Sequence, residues 1–209
     1  MPLHKIIHIN ENTTAYFWHI TEDVTSLFRA VSLRDTSLFR LEGMKSEAHQ
    51  KGFLAVRMLL QHLGYTDYDL TYDEAGKPHL SDGKHISISH SHEFSCICIS
   101  DELMGIDLEK LKEKTLKIAP RFMEVKHLEN LSTLEQIEKS TVIWGVKESI
   151  FKIKNEKGIS FPEHIFEAEF DLKEGKCEAE LHFNNTIEKF NIQFYKVEDY
   201  IFVCAFPKK

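Results

Sequence analysis

Phe94-Ser-Cys-Ile-Cys-Ile99 and Tyr200-Ile-Phe-Val-Cys-Ala205 are two apolar stretches of one pattern, lying near the middle and the end of a 209-residue chain. Each reads as the closing strand of a hairpin, and each hairpin follows a long helix. The first helix is expected over Ser46 to Leu63, where Phe53, Val56, Leu59, Leu60 and Leu63 recur at helical spacing and Gly64 ends the run. The second is expected over Leu134 to Lys154. The hairpin of the first half pairs His85 to His90 with Phe94 to Ser100. In the second half Phe166 to Leu172, Lys176 to Phe183, Lys189 to Val197 and Tyr200 to Phe206 read as antiparallel strands. The fold class expected is α+β: a pseudo-dimer of two similar α+β halves with antiparallel sheets, residues 1–102 and 103–209.

Further elements fill in the first half. Lys5 to Ile9 and Ala15 to Ile20 read as strands. Thr21 to Ala30 reads as a helix capped by Thr21, with Glu22 and Asp23 in its first turn. Tyr68 to Tyr72 reads as a strand before the turn Asp73-Glu-Ala-Gly-Lys-Pro78. After a strand over Leu103 to Glu109, residues 111 to 131 read as helical or mixed, with a break allowed at Pro120.

Composition narrows the function classes. Apolar residues make up 42% of the chain, with 15 Phe, which excludes disorder as a description of the whole. Acidic residues outnumber basic ones by 33 to 26, so there is no overall basic footprint for nucleic acid. The longest apolar run, Phe53 to Leu60, is short and interrupted by Arg57, so no membrane span is expected. The N-terminal stretch lacks the apolar core of a secretory signal. Cys96, Cys98, Cys177 and Cys204 form no Cys-x-x-Cys and read as reduced thiols. A cytoplasmic protein is expected.

Three clusters carry chemistry. In Gly105-Ile-Asp-Leu-Glu109 the alternation of a strand places Asp107 and Glu109 on one face and Ile106 and Leu108 on the other. Two adjacent carboxylates repel unless a cation lies between them, and oxygen-only ligands suit Mg²⁺; a solvated acidic edge is the alternative. In Trp144-Gly-Val-Lys-Glu-Ser-Ile-Phe-Lys152, a helix sets Trp144, Glu148 and Lys152 on one stripe. Glu148 is placed to join the two carboxylates and Lys152 to hold a phosphate, or the two form a surface pair. In Ile88-Ser-His-Ser-His92, Ser and His at a strand end can donate to an anion. Zinc at His90 and His92 lacks a third ligand of convincing spacing. A Ser–His hydrolytic pair is disfavoured because neighbours on a strand point apart. No P-loop and no dinucleotide-binding glycine fingerprint is present.

Gly76-Lys-Pro78, Ile88-Ser-His-Ser91, Gly105-Ile-Asp-Leu-Glu109 and Trp144-x-x-Lys-Glu-x-x-x-Lys152 occur in this order. Together they resemble the 4'-phosphopantetheinyl transferases of the larger, surfactin-synthetase-activating type. The resemblance implies an active site in a cleft between the two halves. It also implies Mg²⁺-dependent transfer of the phosphopantetheine arm of coenzyme A to a serine of an apo acyl or peptidyl carrier protein, releasing adenosine 3',5'-bisphosphate. By the same resemblance Asp107, Glu109 and Glu148 are the Mg²⁺ ligands. Lys152, His90 and Ser89 hold phosphates, and Lys77 and Pro78 lie against the adenine. Glu148 is a candidate base.

Two positions depart from the family pattern. Where an acidic second base often stands, Arg121-Phe-Met-Glu-Val-Lys-His127 offers His127, with Glu124 and Glu129 as further candidates. Where Arg or Lys usually grips the 3'-phosphate, Met44 to Phe53 offers Lys51 and then Lys45. The basic segment Lys110, Lys112, Lys114, Lys117 and Arg121 either steers an acidic carrier or is a solvated helix face. One chain supplying both halves implies a monomer. A binding module that holds coenzyme A or a carrier without chemistry, and a metal-dependent phosphohydrolase, are the competing functions.

Overall fold

A computed structural model describes residues 3–208. The chain divides after Glu102 into two compact units, each mixing helices with an antiparallel sheet. No helix among the described residues is long and apolar enough to cross a membrane.

The first unit runs β1 (Leu3–Asn10), β2 (Thr13–His19), α1 (Val24–Ala30), α2 (Asp35–Glu42), α3 (Glu47–His62), β3 (Leu70–Tyr72), β4 (Pro78–Leu80), β5 (His85–Ser91) and β6 (Phe94–Ser100). Its main sheet has the order β1-β2-β6-β5, and β3 and β4 form a separate ribbon. The apolar stripe of α3 is buried as its spacing requires. Ala55, Val56, Leu59 and Leu60 pack with Trp18, Ile86 and Ile97 of the sheet. Leu27 and Leu41 of the two short helices close over Phe53 and Leu54. The chain leaving α3 is tied back by a buried ion pair, Arg57 Nε to Asp67 Oδ1 at 3.0 Å. The Arg57 guanidinium lies 3.5 Å over the Phe53 ring. Removing one partner of such a pair strands a buried charge, at about 3–5 kcal/mol.

The second unit runs β7 (Gly105–Lys110), α4 (Glu113–Ile118), α5 (Thr133–Lys154), α6 (Phe161–His164), β8 (Ile165–Glu167), β9 (Lys176–Phe183), β10 (Thr186–Val197) and β11 (Tyr200–Pro207). Its sheet has the order β7-β11-β10-β9-β8. α5 starts in a capping box, the Ser132 and Glu135 side chains each bonding the other's backbone N–H, and ends at left-handed Asn155. Val142, Ile143, Val146 and Ile150 of α5 pack on Ala179, Leu181, Ile192, Ile201 and Val203 of the sheet.

Two glycines let this helix approach the sheet closely. A Cβ on Gly105 would lie 2.1 Å from the Ser149 carbonyl oxygen, and one on Gly145 would lie 2.5 Å from Val203 Cγ2. The first obstacle is helix backbone and cannot rotate away.

The sequence reading needs four corrections. The helix expected from Thr21 starts at Val24, because the Asp23 side chain accepts from Ser26 N–H at 2.6 Å and so caps it. α2 was not foreseen; its eight residues bury only Ser37 and Leu41. Of Tyr68 to Tyr72 only the last three residues are strand, since Asp69 bonds back to Thr66 and holds a turn. Of Phe166 to Leu172 only Phe166 and Glu167 are strand. Asp171 instead caps a single 3-10 turn by accepting from Lys173 N–H at 2.9 Å.

Gly105→Ala is expected to destabilise the chain by about 3 kcal/mol or more, since overpacking against backbone leaves little room to relax. Chemical denaturation checks this; an unchanged midpoint would show that α5 does not depend on the close approach.

Candidate active site

The register of the second sheet sets Asp107 opposite Val203 and Glu109 opposite Ile201. Val203 and Ile201 belong to the face that packs on α5, so both carboxylates face the helix. Ile106 and Leu108 alternate to the other face and are buried. Asp107 is itself buried, at 4% exposure. α5 answers with Glu148 and Lys152, one turn apart. Lys152 Nζ donates to Asp107 Oδ1 and to the Ile106 carbonyl, both at 2.9 Å. Trp144, a turn before Glu148, is fixed edge-on between Phe122 and Phe161, with ring centroids at 5.1 and 5.5 Å.

The electrostatics of this group are one-sided. Burial, then the Asp107 charge, pushes the Glu148 carboxyl up to about 7; Glu109 adds to the rise and Lys152 opposes it. Every donor these acids offer is an oxygen, the chemistry that hard divalent cations take. Among the described residues no group of three or more His, Cys, Asp or Glu is gathered closely enough to grip an ion as it stands. The cation at Asp107 is the Lys152 ammonium.

Lys147 is next to Glu148 in sequence but serves a different place. Its side chain is 3% exposed and pairs with Glu167 Oε2 at 3.0 Å. The same ammonium donates to the Ile165 carbonyl at 2.5 Å and to the Phe161 carbonyl at 3.3 Å. Burial lowers its pKa, against the pull of Glu167. The other Glu167 oxygen, Oε1, lies 3.9 Å from His127 Nε2. His127 is thus grouped with Lys147 and Glu167. Glu124 is exposed and its pKa is lowered, first by the Lys126 side chain. Glu129 is also exposed. Glu167 was missed by the sequence reading. The signal available was its place two residues after buried Ile165, on the inward side of an alternating strand.

In the first unit, His90 packs on the start of α3. A Cβ on Gly52 would meet its ring at 3.3 Å, and His49 lies 6.0 Å away between ring centroids. Lys51, next to Gly52, pairs with Glu47 at 3.0 Å. Ser89 is buried, and as the neighbour of His90 on one strand it faces the opposite side of the sheet. Lys77 sits at the turn of the β3–β4 ribbon, its N–H donating to Asp73 Oδ1 at 2.8 Å, and Pro78 opens β4 opposite Tyr72. Lys45 is exposed.

No family model matches the chain. Curated relatives do. The chain is 30% identical over 147 residues to 4'-phosphopantetheinyl transferase Sfp of Bacillus subtilis (strain 168), covering 66% of this chain and 65% of the relative. It is 29% identical over 152 residues to 4'-phosphopantetheinyl transferase ffp of Bacillus subtilis, covering 68% and 67%. It is 32% identical over 121 residues to 4'-phosphopantetheinyl transferase gsp of Aneurinibacillus migulanus, covering 55% and 51%. The match to the first of these therefore spans just under two thirds of that relative's length.

The raised Glu148 pKa fixes a sign. In the unfolded chain the group ionises near 4.5 and in the folded chain near 7. Folding therefore binds this proton more tightly, and stability falls as pH rises through that window. Glu148→Gln removes the cost. In EDTA at pH 8 it is expected to stabilise the chain by about 1–2 kcal/mol after discounting for solvent screening. At pH 4 the gain disappears. Thermal unfolding at the two pH values checks this; an equal or lower melting temperature at pH 8 would contradict the repulsion.

Proposed function

We propose, from its similarity to the Sfp-like 4'-phosphopantetheinyl transferases, that the chain is one of them and moves the 4'-phosphopantetheine arm of coenzyme A to a serine of an apo acyl or peptidyl carrier protein. The observation that carries the reading is the acid set on β7 and α5. Asp107, Glu109 and Glu148 face one another's charge across a close helix–strand contact, with Lys152 beside them.

Asp107, Glu109 and Glu148 would hold Mg²⁺, which neutralises negative charge on the coenzyme A pyrophosphate when bound. Lys152 is 29% exposed at its side chain and already lies against Asp107; its ammonium is the point charge for a phosphate oxygen. His90 and Lys51, one packed on the start of α3 and one within it, are the phosphate-binding candidates of the first unit, with Ser89 set aside because it faces the other side of the sheet, and Lys77 with Pro78 are the adenine-binding ones. In the transfer the serine Oγ forms a bond to the phosphorus that carries the pantetheine arm. The bond from that phosphorus to the bridging oxygen breaks, and its electron pair leaves with adenosine 3',5'-bisphosphate. The serine proton goes to a base, for which Glu148 and His127 are the candidates. Cys96, Cys98, Cys177 and Cys204 form no disulfide, in keeping with the cytoplasmic location proposed here.

Incubation with coenzyme A, Mg²⁺ and a panel of apo carriers, followed by intact-mass spectrometry, tests the reading. One carrier is expected to gain a single phosphopantetheine, and EDTA to prevent it. Asp107→Ala and Glu148→Ala are each expected to lose at least about a hundredfold in rate, since a metal-centred charge term is worth several kcal/mol. Their far-ultraviolet circular dichroism should match the unaltered chain. Coenzyme A binding without transfer to any carrier would make the chain a binding module. Release of phosphopantetheine without a carrier would make it a phosphohydrolase. Full activity in either variant would remove the metal assignment.

A further inference from the structure

Arg34, Arg40 and Arg57 lie in one neighbourhood of the first unit, around the buried carboxylate of Asp67 and the rings of Phe53 and Tyr72. Two of them are spent on the fold. Arg57 is 2% exposed and pairs with Asp67 Oδ1 at 3.0 Å. Arg34 donates from Nη2 to the Leu70 carbonyl at 2.8 Å, and its backbone N–H donates to the other Asp67 oxygen at 3.0 Å. Arg40, on α2, is different. It is exposed, and its guanidinium carbon lies over the Tyr72 ring at 4.6 Å from the centroid and over the Phe53 ring at 5.7 Å. Among the described residues no carboxylate or carbonyl takes its N–H groups. The acid next to Tyr72 in sequence, Asp73, is already occupied. It accepts from the N–H groups of Ala75 and Lys77 and bonds the His79 ring.

A guanidinium over aromatic faces is attracted by the rings and held in place by them, while its N–H groups stay available at its edges. Those donors form a fork that matches two oxygens of a phosphate. The two rings also fix where the fork stands. Tyr72 pairs with Pro78 across the β3–β4 ribbon, so Arg40 lies beside the turn that carries Lys77 and Pro78. Phe53 follows Gly52, the residue on which the His90 ring packs, and Lys51 precedes it. Arg40 is thus next to both candidate groups of the first unit, the one for adenine and the one for phosphate. In coenzyme A the 3'-phosphate monoester sits on the ribose that carries the adenine, so a site that holds the base holds the monoester beside it. Lys51 gives part of its charge to Glu47 at 3.0 Å. Arg40 gives none to any described carboxylate.

We propose that Arg40 binds the 3'-phosphate of coenzyme A and is a residue by which the chain tells coenzyme A from 3'-dephospho-coenzyme A. This assignment rests on coenzyme A being the substrate, as proposed above. Its place on α2 explains why spacing did not reveal it. That helix was not foreseen, and the charge was sought at positions 44–53.

The contact is measurable without turnover. In the ¹⁵N-labelled full chain, the Arg40 Nε–H signal is assigned by its loss in Arg40→Lys. Saturation with adenosine 3',5'-bisphosphate is expected to shift it, and saturation with adenosine 5'-monophosphate to leave it in place. In transfer assays with Mg²⁺ and an apo carrier, Arg40→Gln is expected to raise KM for coenzyme A by about tenfold, the loss falling on KM rather than kcat. KM for 3'-dephospho-coenzyme A should stay the same, so the preference between the two substrates falls about tenfold. Arg40→Lys keeps the charge but not the fork, and its KM for coenzyme A should rise by only about threefold. A merely structural role would move both substrates alike. An unmoved Nε–H signal, a KM rise under about twofold for coenzyme A in Arg40→Gln, or equal rises for the two substrates would overturn the assignment while transfer by the unaltered chain keeps the function. If Arg40→Gln does not fold, the Nε–H shift in the unaltered chain still decides. A shift without transfer to any carrier keeps the assignment and overturns the transfer. Neither shift nor transfer overturns both.

Discussion

Helix α5 can lie on β7 and β11 only because positions 105 and 145 carry no Cβ. At Gly105 the gap to the Ser149 carbonyl leaves no room for a methyl group, and at Gly145 the Val203 side chain fills the space. The closeness has a chemical result. It brings a helix side chain, Lys152, within hydrogen-bond distance of Asp107 and of the strand's own backbone carbonyl. It also brings Glu148 near enough for Asp107 and Glu109 to add to the rise of its pKa. A looser helix would leave three ordinary acids on a solvated surface.

The strand and the helix contribute by different periodicities. On β7 the period of two sends Asp107 and Glu109 to the helix side and Ile106 and Leu108 to the other. On α5 the four-residue step aligns Trp144, Glu148 and Lys152, while Lys147 turns away to Glu167. Two lysines five residues apart thus do opposite things. Lys147 is sealed and spends its donors on the fold, whereas Lys152 is partly open beside the acids. The carboxylates repel one another at neutral pH, a cost the packing of α5 on the sheet must carry and a bound cation would relieve.

Much of this was legible in the residues. Both long helices, the hairpin of the first half and the alternation at Asp107 and Glu109 follow from spacing alone, because each element has one buried face. Elements with little burial escaped. α2 turns only Ser37 and Leu41 inward, so its periodicity is too faint to read. The segment after Glu167 looked like a strand by composition, but the Asp171 side chain caps a turn there. Glu167 was overlooked because a single acid on an edge strand reads as solvated. Its partner Lys147 lies 20 residues away on a helix, and only the folded chain pairs them.

The claim most exposed to test is that the acids gathered by α5 and β7 take one divalent cation. Mn²⁺ titration followed by electron paramagnetic resonance, in the presence of coenzyme A, counts bound ions directly. The expected result is one ion per chain, lost in a chain carrying Asp107→Asn and Glu148→Gln with its fold intact. An ion bound with undiminished affinity by that double variant, or no saturable binding by the unaltered chain, would contradict it.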